Sequence, residues 1–224
     1  MAQAAQRLMR PLAVALRGGP EARWSLRIAG PEKPILEAFL LSTGIVALAE
    51  IGDKTQLLAI VLAARFRKPL PIIGGIFVAT VLNHALAGAI GAWIASLVDP
   101  TIMRWILAAS FIGMAIWMLI PDKLDDDEQP QARWGVFLTT LFAFFVVEMG
   151  DKTQIATVAL AARFDALFSV VLGTTLGMMI ANVPAVYLGE VAATKINLKV
   201  VHAIAALVFF ALGVWLLLGT GAIV

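Results

Sequence analysis

The sequence predicts an all-α membrane protein: six transmembrane helices arranged as two inverted three-helix repeats. Three observations carry this. Of 224 residues, 61% are hydrophobic and 14% charged, with a mean hydropathy of +0.91, where a soluble domain carries about 25% charged residues. A soluble fold of this size could not hide so much apolar surface, so the solvent is lipid. The other two observations are a series of long uncharged runs and a duplication at an offset of 98 residues.

The elements follow in order. Residues 1–34 carry Arg7, Arg10, Arg17, Arg23, Arg27 and Lys33 among prolines. They read as a basic tail against anionic headgroups rather than a targeting segment or surface helix. Pro11 and Arg17 leave too short an apolar stretch between them for a signal peptide. The first helix is predicted over 36–64, where uncharged stretches 38–49 and 55–64 flank a polar interruption. The second, 70–97, and the third, 102–120, rest on uncharged runs 69–98 and 105–121, the first longer and the second slightly shorter than the roughly 20 residues a span needs. These three make the first repeat, residues 35–121. An acidic loop, 122–133, holds Asp122, Asp125, Asp126, Asp127 and Glu128 and reads as a solvated linker. The second repeat, 134–224, contains helices at 134–161, 166–191 and 199–221 on the same grounds. Internal Gly44, Gly74, Gly75, Gly173 and Pro184 are tolerated in membrane helices. The runs are continuously apolar rather than alternating, which argues against a β-barrel.

The duplication aligns EIGDKTQLLAIVLAARF (50–66) with EMGDKTQIATVALAARF (148–164), identical at eleven of seventeen positions. The same offset pairs Phe111 with Phe209 and Trp117 with Trp215, and a one-residue slip pairs Asn83 with Asn182. Each half holds an odd number of helices, so the second enters the membrane from the opposite side. Such inverted repeats are typical of secondary transporters that bind their cargo near the midplane.

The chemistry lies in the repeated string. On a helix, residues i and i+3 share a face, which brings Glu50 to Asp53 and Glu148 to Asp151; Lys54 and Lys152 follow each Glu by one turn. Gly52 and Gly150 stand before each Asp as hinges where a helix can unwind and free its carbonyls. Thr55, Gln56, Thr153 and Gln154 add neutral oxygens. An ionised carboxylate at membrane depth costs about 3 kcal/mol or more, so four demand compensation. Two lysines, charge-balancing in the empty state, leave two negative charges, which one divalent cation or two protons would neutralise. Hard oxygen donors suit Mg²⁺, Ca²⁺ or Mn²⁺, and competition between metal and protons for one site is the core of an antiporter. A structural Glu–Lys ion pair explains a single copy of the string better than a duplicated one carrying the same Gly, Thr and Gln.

At Glu50, Gly52, Asp53, Lys54, Thr55 and at Glu148, Gly150, Asp151, Lys152, Thr153 the chain resembles uncharacterised protein family 0016. These are manganese/calcium cation–proton exchangers with twin E-x-G-D-(K/R)-(T/S) motifs, placed near the lysine-exporter-like superfamily. The resemblance covers about residues 36–222 and leaves out the basic tail. It implies that the acidic motif residues bind the transported cation and that Mn²⁺ or Ca²⁺ moves against H⁺.

Several side chains are less decisive. Asn83 and Asn182 read either as amides supporting the site from behind or as interhelical hydrogen bonds. His84 faces Val183 in the slipped alignment and reads as a packing histidine rather than a proton relay, and His202 reads as interfacial. Trp93, Trp105, Trp117, Trp134 and Trp215 fall near helix ends and suit the interface. The loops after helices one, three and five hold most of the basic residues, which places the N-terminus of the core outside and the acidic loop in the cytoplasm; the tail alone argues the reverse.

The expectation is therefore a divalent cation/proton antiporter, exporting Mn²⁺ or else Ca²⁺ by alternating access, and not an enzyme. Its partners would be the metal ion, protons and the bilayer of a bacterial inner membrane, with no nucleic acid and no permanently bound cofactor. Lacking cysteine, the chain has neither disulfides nor thiolate metal sites. The competing readings are an exporter of a small organic cation such as lysine, a passive channel, and an intramembrane aspartyl protease using Asp53 and Asp151. A lysine beside each Asp weighs against the last, because it would hold the dyad ionised.

Overall fold

The computed structural model describes residues 33–120, 134–188 and 198–218, so the basic tail up to residue 32 and the acidic loop fall outside it, while residues 33 and 34, expected in the tail, begin the first helix. Among these residues every regular element is a helix. They are α1 (Lys33–Glu50), α2 (Lys54–Phe66), α3 (Pro69–Leu97), α4 (Pro100–Trp117), α5 (Val136–Glu148), α6 (Lys152–Arg163), α7 (Leu167–Leu188) and α8 (Leu198–Leu217).

The predicted first and fourth helices are each broken in two at the motif. Gly52 and Gly150 take positive φ of 85° and 79°, a left-handed conformation open to glycine and costly to other residues. Asp53 and Asp151 then turn extended and stand at the N-caps of α2 and α6. Asp53 Oδ2 accepts from the Thr55 N–H at 3.4 Å. Because each break sits between the Glu and the Lys, the shared helical face expected for these residues does not exist. The turn itself brings Glu50 and Asp53 together. α1 and α2 meet at 68°.

Elsewhere the ends follow local chemistry. Pro69 and Pro100 open α3 and α4, where a missing N–H costs nothing, and Asp99 accepts from the Thr101 N–H at 2.8 Å. By length and composition α3, α4, α7 and α8 can each cross a bilayer, and α1 with α2 forms a fifth, bent candidate. At 13 and 12 residues, α5 and α6 are each only about 20 Å long, short of the ~30 Å hydrocarbon core. The outward faces are apolar, as in Leu86, Ile90, Trp93 and Leu97 along α3.

Packing repeats at the sequence offset. α3 lies against α5, α6 and α7, and α8 lies against α4. A Cβ on Gly75 of α3 would stand 2.8 Å from the Phe137 carbonyl oxygen of α5; one on Gly173 of α7 would stand 2.5 Å from the Phe39 carbonyl oxygen of α1. Gly75 and Gly173 are 98 residues apart, and so are Phe39 and Phe137. The second helix of each half therefore docks on the first helix of the other half through the same small residue. Only a hydrogen side chain allows backbones this close.

Candidate cation site

The two breaks fold alike. In each, the Asp N–H donates back to the Glu carbonyl, at 3.0 Å for Asp53 and 3.1 Å for Asp151. The glycine N–H donates to the glutamine side chain four residues on, Gly52 to Gln56 Oε1 at 2.9 Å and Gly150 to Gln154 Oε1 at 2.6 Å. The glutamine oxygens thus serve as caps for the turns, and Gln56 Nε2 also donates to the Ala181 carbonyl on α7 at 3.1 Å. Thr55 Oγ1 donates to Glu50 Oε2 at 2.6 Å, and Thr153 Oγ1 donates likewise to Glu148 Oε1. Each threonine thereby aims a carboxylate inward.

Three of the four motif carboxylates converge. Glu50, Asp53 and Asp151 are all buried and each offers an oxygen within 4.8 Å of the others. That spacing suits donors held at about 2.0–2.6 Å around one hard cation. Glu148, equally buried, stands outside this trio and turns toward His84, whose Nε2 lies 3.8 Å from Glu148 Oε1. Lys54 Nζ crosses to the other motif and pairs with Asp151 Oδ1 at 3.4 Å. Lys152, buried despite its charge, donates Nζ to the Ile120 carbonyl after α4 at 3.0 Å. The two lysines thus occupy unlike surroundings.

The two asparagines of α3 and α7 take one each of the two roles open to them. Asn182 Nδ2 reaches Glu50 Oε2 at 3.4 Å, while Asn83 Nδ2 donates to the Phe145 carbonyl at 3.1 Å. The counterpart of Asn182 is His84 at the constant offset, not Asn83 after a slip. His84 approaches Glu148 as Asn182 approaches Glu50. His202 also departs from its interfacial reading: Nε2 lies 3.0 Å from the Ile51 carbonyl, against the first break. The offset that aligned the motifs would have found His84 had it been held through the second helix; His202 left no such signal.

Residues 38–126 and 136–222 match the family described as divalent cation/proton antiporter GDT1. The chain belongs to the GDT1 family. Among its curated relatives, a Vibrio cholerae protein named as a candidate manganese exporter is 50% identical, covering 80% of this chain and 90% of that protein. A GDT1-like protein of Synechocystis is 30% identical over 79% of this chain and 94% of its own, and GDT1-like protein 5 of Arabidopsis thaliana is 27% identical over 82% and 96%. No solved structure matches. The GDT1 match agrees with the manganese/calcium exchanger resemblance at the level of divalent cation/proton antiport, and with a chain whose apolar helices reside in a membrane.

Proposed function

We propose that the chain exports Mn²⁺ from a bacterial cytoplasm across the inner membrane in exchange for protons, by alternating access at the two motif breaks. The observation that carries this is the buried trio Glu50, Asp53 and Asp151, drawn from both motifs and placed within reach of one ion. Carboxylates crowded this closely in a low-dielectric interior repel one another, so the emptied site takes up protons and the loaded site releases them. Glu148 joins the trio in another stage of the cycle, and Thr55, Thr153, Gln56 and Gln154 complete or line the path. Lys54 and Lys152 balance charge when the ion leaves. Asn83 and Asn182 support the site from behind its ligands, and Gly52 and Gly150 act as hinges. The Vibrio cholerae relative favours manganese as cargo.

The architecture behind this is two inverted repeats, 35–121 and 134–224, giving six spans when α1–α2 and α5–α6 are each taken as one broken span. The reciprocal Gly75–Phe137 and Gly173–Phe39 contacts support it, since a two-fold exchange of halves requires contacts of this reciprocal kind. Half-helix ends at the midplane are the usual cation sites of such folds.

The test is transport in proteoliposomes under an imposed pH gradient. Gradient-driven Mn²⁺ flux with counter-movement of protons, lost in Glu50→Gln and in Asp151→Asn, is the expected result. Mn²⁺ flux without proton movement would identify a channel, and flux surviving both substitutions would remove these residues from the site.

A further inference from the structure

Two side chains from second helices reach the motif glutamates of the opposite half. On α7, Asn182 Nδ2 contacts Glu50 Oε2 at 3.4 Å; on α3, His84 Nε2 stands 3.8 Å from Glu148 Oε1. Both members of each pair shift by 98 residues between halves. Equivalent places therefore carry an amide in one half and an imidazole in the other.

The imidazole is fully buried, and among the described residues neither ring nitrogen has a hydrogen-bond partner; Glu148 Oε2 has none either. A packing histidine would satisfy a ring nitrogen on a nearby carbonyl, as its neighbour Asn83 does on Phe145. Leaving such groups unpartnered in an apolar interior costs free energy that a ligand can recover. The 3.8 Å separation is too long for a hydrogen bond. It fits two donors to one ion, since ligands held at about 2.0–2.6 Å lie about 3–5 Å apart.

We infer that His84 Nε2, together with Glu148, ligates the transported ion, and that this nitrogen makes the carrier prefer a first-row transition-metal dication to Ca²⁺. The inference rests on the cation-exchange reading and narrows its substrate class. The carboxylate trio alone offers hard oxygens, which Mn²⁺ and Ca²⁺ accept alike. An imidazole breaks the tie, because Ca²⁺ takes oxygen ligands whereas first-row metals bind nitrogen with rising affinity along the series. Having the imidazole in one half only concentrates the discrimination at one end of the site.

The chain contains two histidines, His84 and His202, which makes the test direct. The full-length protein in nanodiscs is loaded with Mn²⁺ and probed by pulsed EPR for a ¹⁴N coupling. Native protein and His202→Gln show one imidazole coupling, and His84→Asn, carrying the side chain of the other half, shows none. In proteoliposomes the preference for Mn²⁺ over Ca²⁺ falls by about tenfold or more in His84→Asn, the scale on which even groups behind the ligands act. Bound Mn²⁺ without nitrogen coupling in the native protein, coupling that persists in His84→Asn, or an unchanged preference would each overturn the inference and leave the carboxylate site standing. Failure of the native protein to bind or exchange Mn²⁺ would overturn the cation reading and this inference with it. The native and His202→Gln spectra decide the ligand question even where His84→Asn does not fold.

Discussion

Phe111 of α4 and Phe209 of α8, 98 residues apart, face each other with ring centroids 6.2 Å apart and planes inclined by 33°. In the proposed inverted-repeat architecture, residues related by the duplication touch each other where the two halves meet on their common axis. Both rings are fully buried, at 0% exposure, so this pair serves as the seam between the third helices.

Truncating either ring should cost about 3–5 kcal/mol of stability, as for other buried phenylalanines. A double-mutant cycle with Phe111→Ala and Phe209→Ala should show a coupling of about 0.5–1.5 kcal/mol. Unfolding in mixed detergent micelles measures both, and additive losses would show that the rings do not act as a pair.

Gly75 and Gly173 should tolerate no side chain. A Cβ at either position meets a backbone carbonyl, which cannot rotate away, so Gly75→Ala and Gly173→Ala should each lose about 1–3 kcal/mol. At Gly44 and Gly113 a Cβ would have nothing within 4 Å, and alanine there should be neutral or stabilising by up to about 1 kcal/mol. Thermal denaturation of the four variants side by side gives the comparison.

The two motif glycines should part company when replaced. Gly52→Ala and Gly150→Ala both place a Cβ at positive φ, costing about 1–2 kcal/mol. At Gly52 the new methyl also meets Leu198 Cδ2 at 2.7 Å and His202 Nε2 at 3.2 Å, whereas Gly150 has open space. Gly52→Ala should therefore melt lower than Gly150→Ala. His202→Ala in the same background should recover part of the gap.

Lys54 Nζ pairs with Asp151 Oδ1 at 3.4 Å, and in the proposed transport cycle it competes with the cation for that carboxylate. In Lys54→Gln the cluster keeps its carboxylates and loses that cation, so Mn²⁺ should raise the melting temperature more than in the native protein. Without metal the variant should melt lower, because a buried carboxylate has lost the lysine that pairs with it. Melting curves with and without Mn²⁺ read both effects, and an unchanged metal-induced shift would show that Lys54 does not oppose loading.

The sequence by itself determined the solvent, the positions of the apolar runs, the duplication and the chemical character of the motif. All of these are local: charge, length and identity at a fixed offset. α3 and α7 start and end within a few residues of the uncharged runs that predict them, with Pro184 accommodated inside α7. The breaks were only partly legible. A glycine before an aspartate allows a turn, and the chain takes it because Asp53 caps the helix that follows the first break and Gln56 and Gln154 hold the freed glycine N–H groups at both. What the tertiary structure decided was convergence. Four carboxylates equivalent in sequence become a trio and an outlier, two equivalent lysines find an aspartate and a carbonyl, and His84 rather than Asn83 becomes the counterpart of Asn182. Those outcomes depend on which helix faces approach across the two halves, and that is set by close contacts such as Gly75 on Phe137, between residues far apart in the chain.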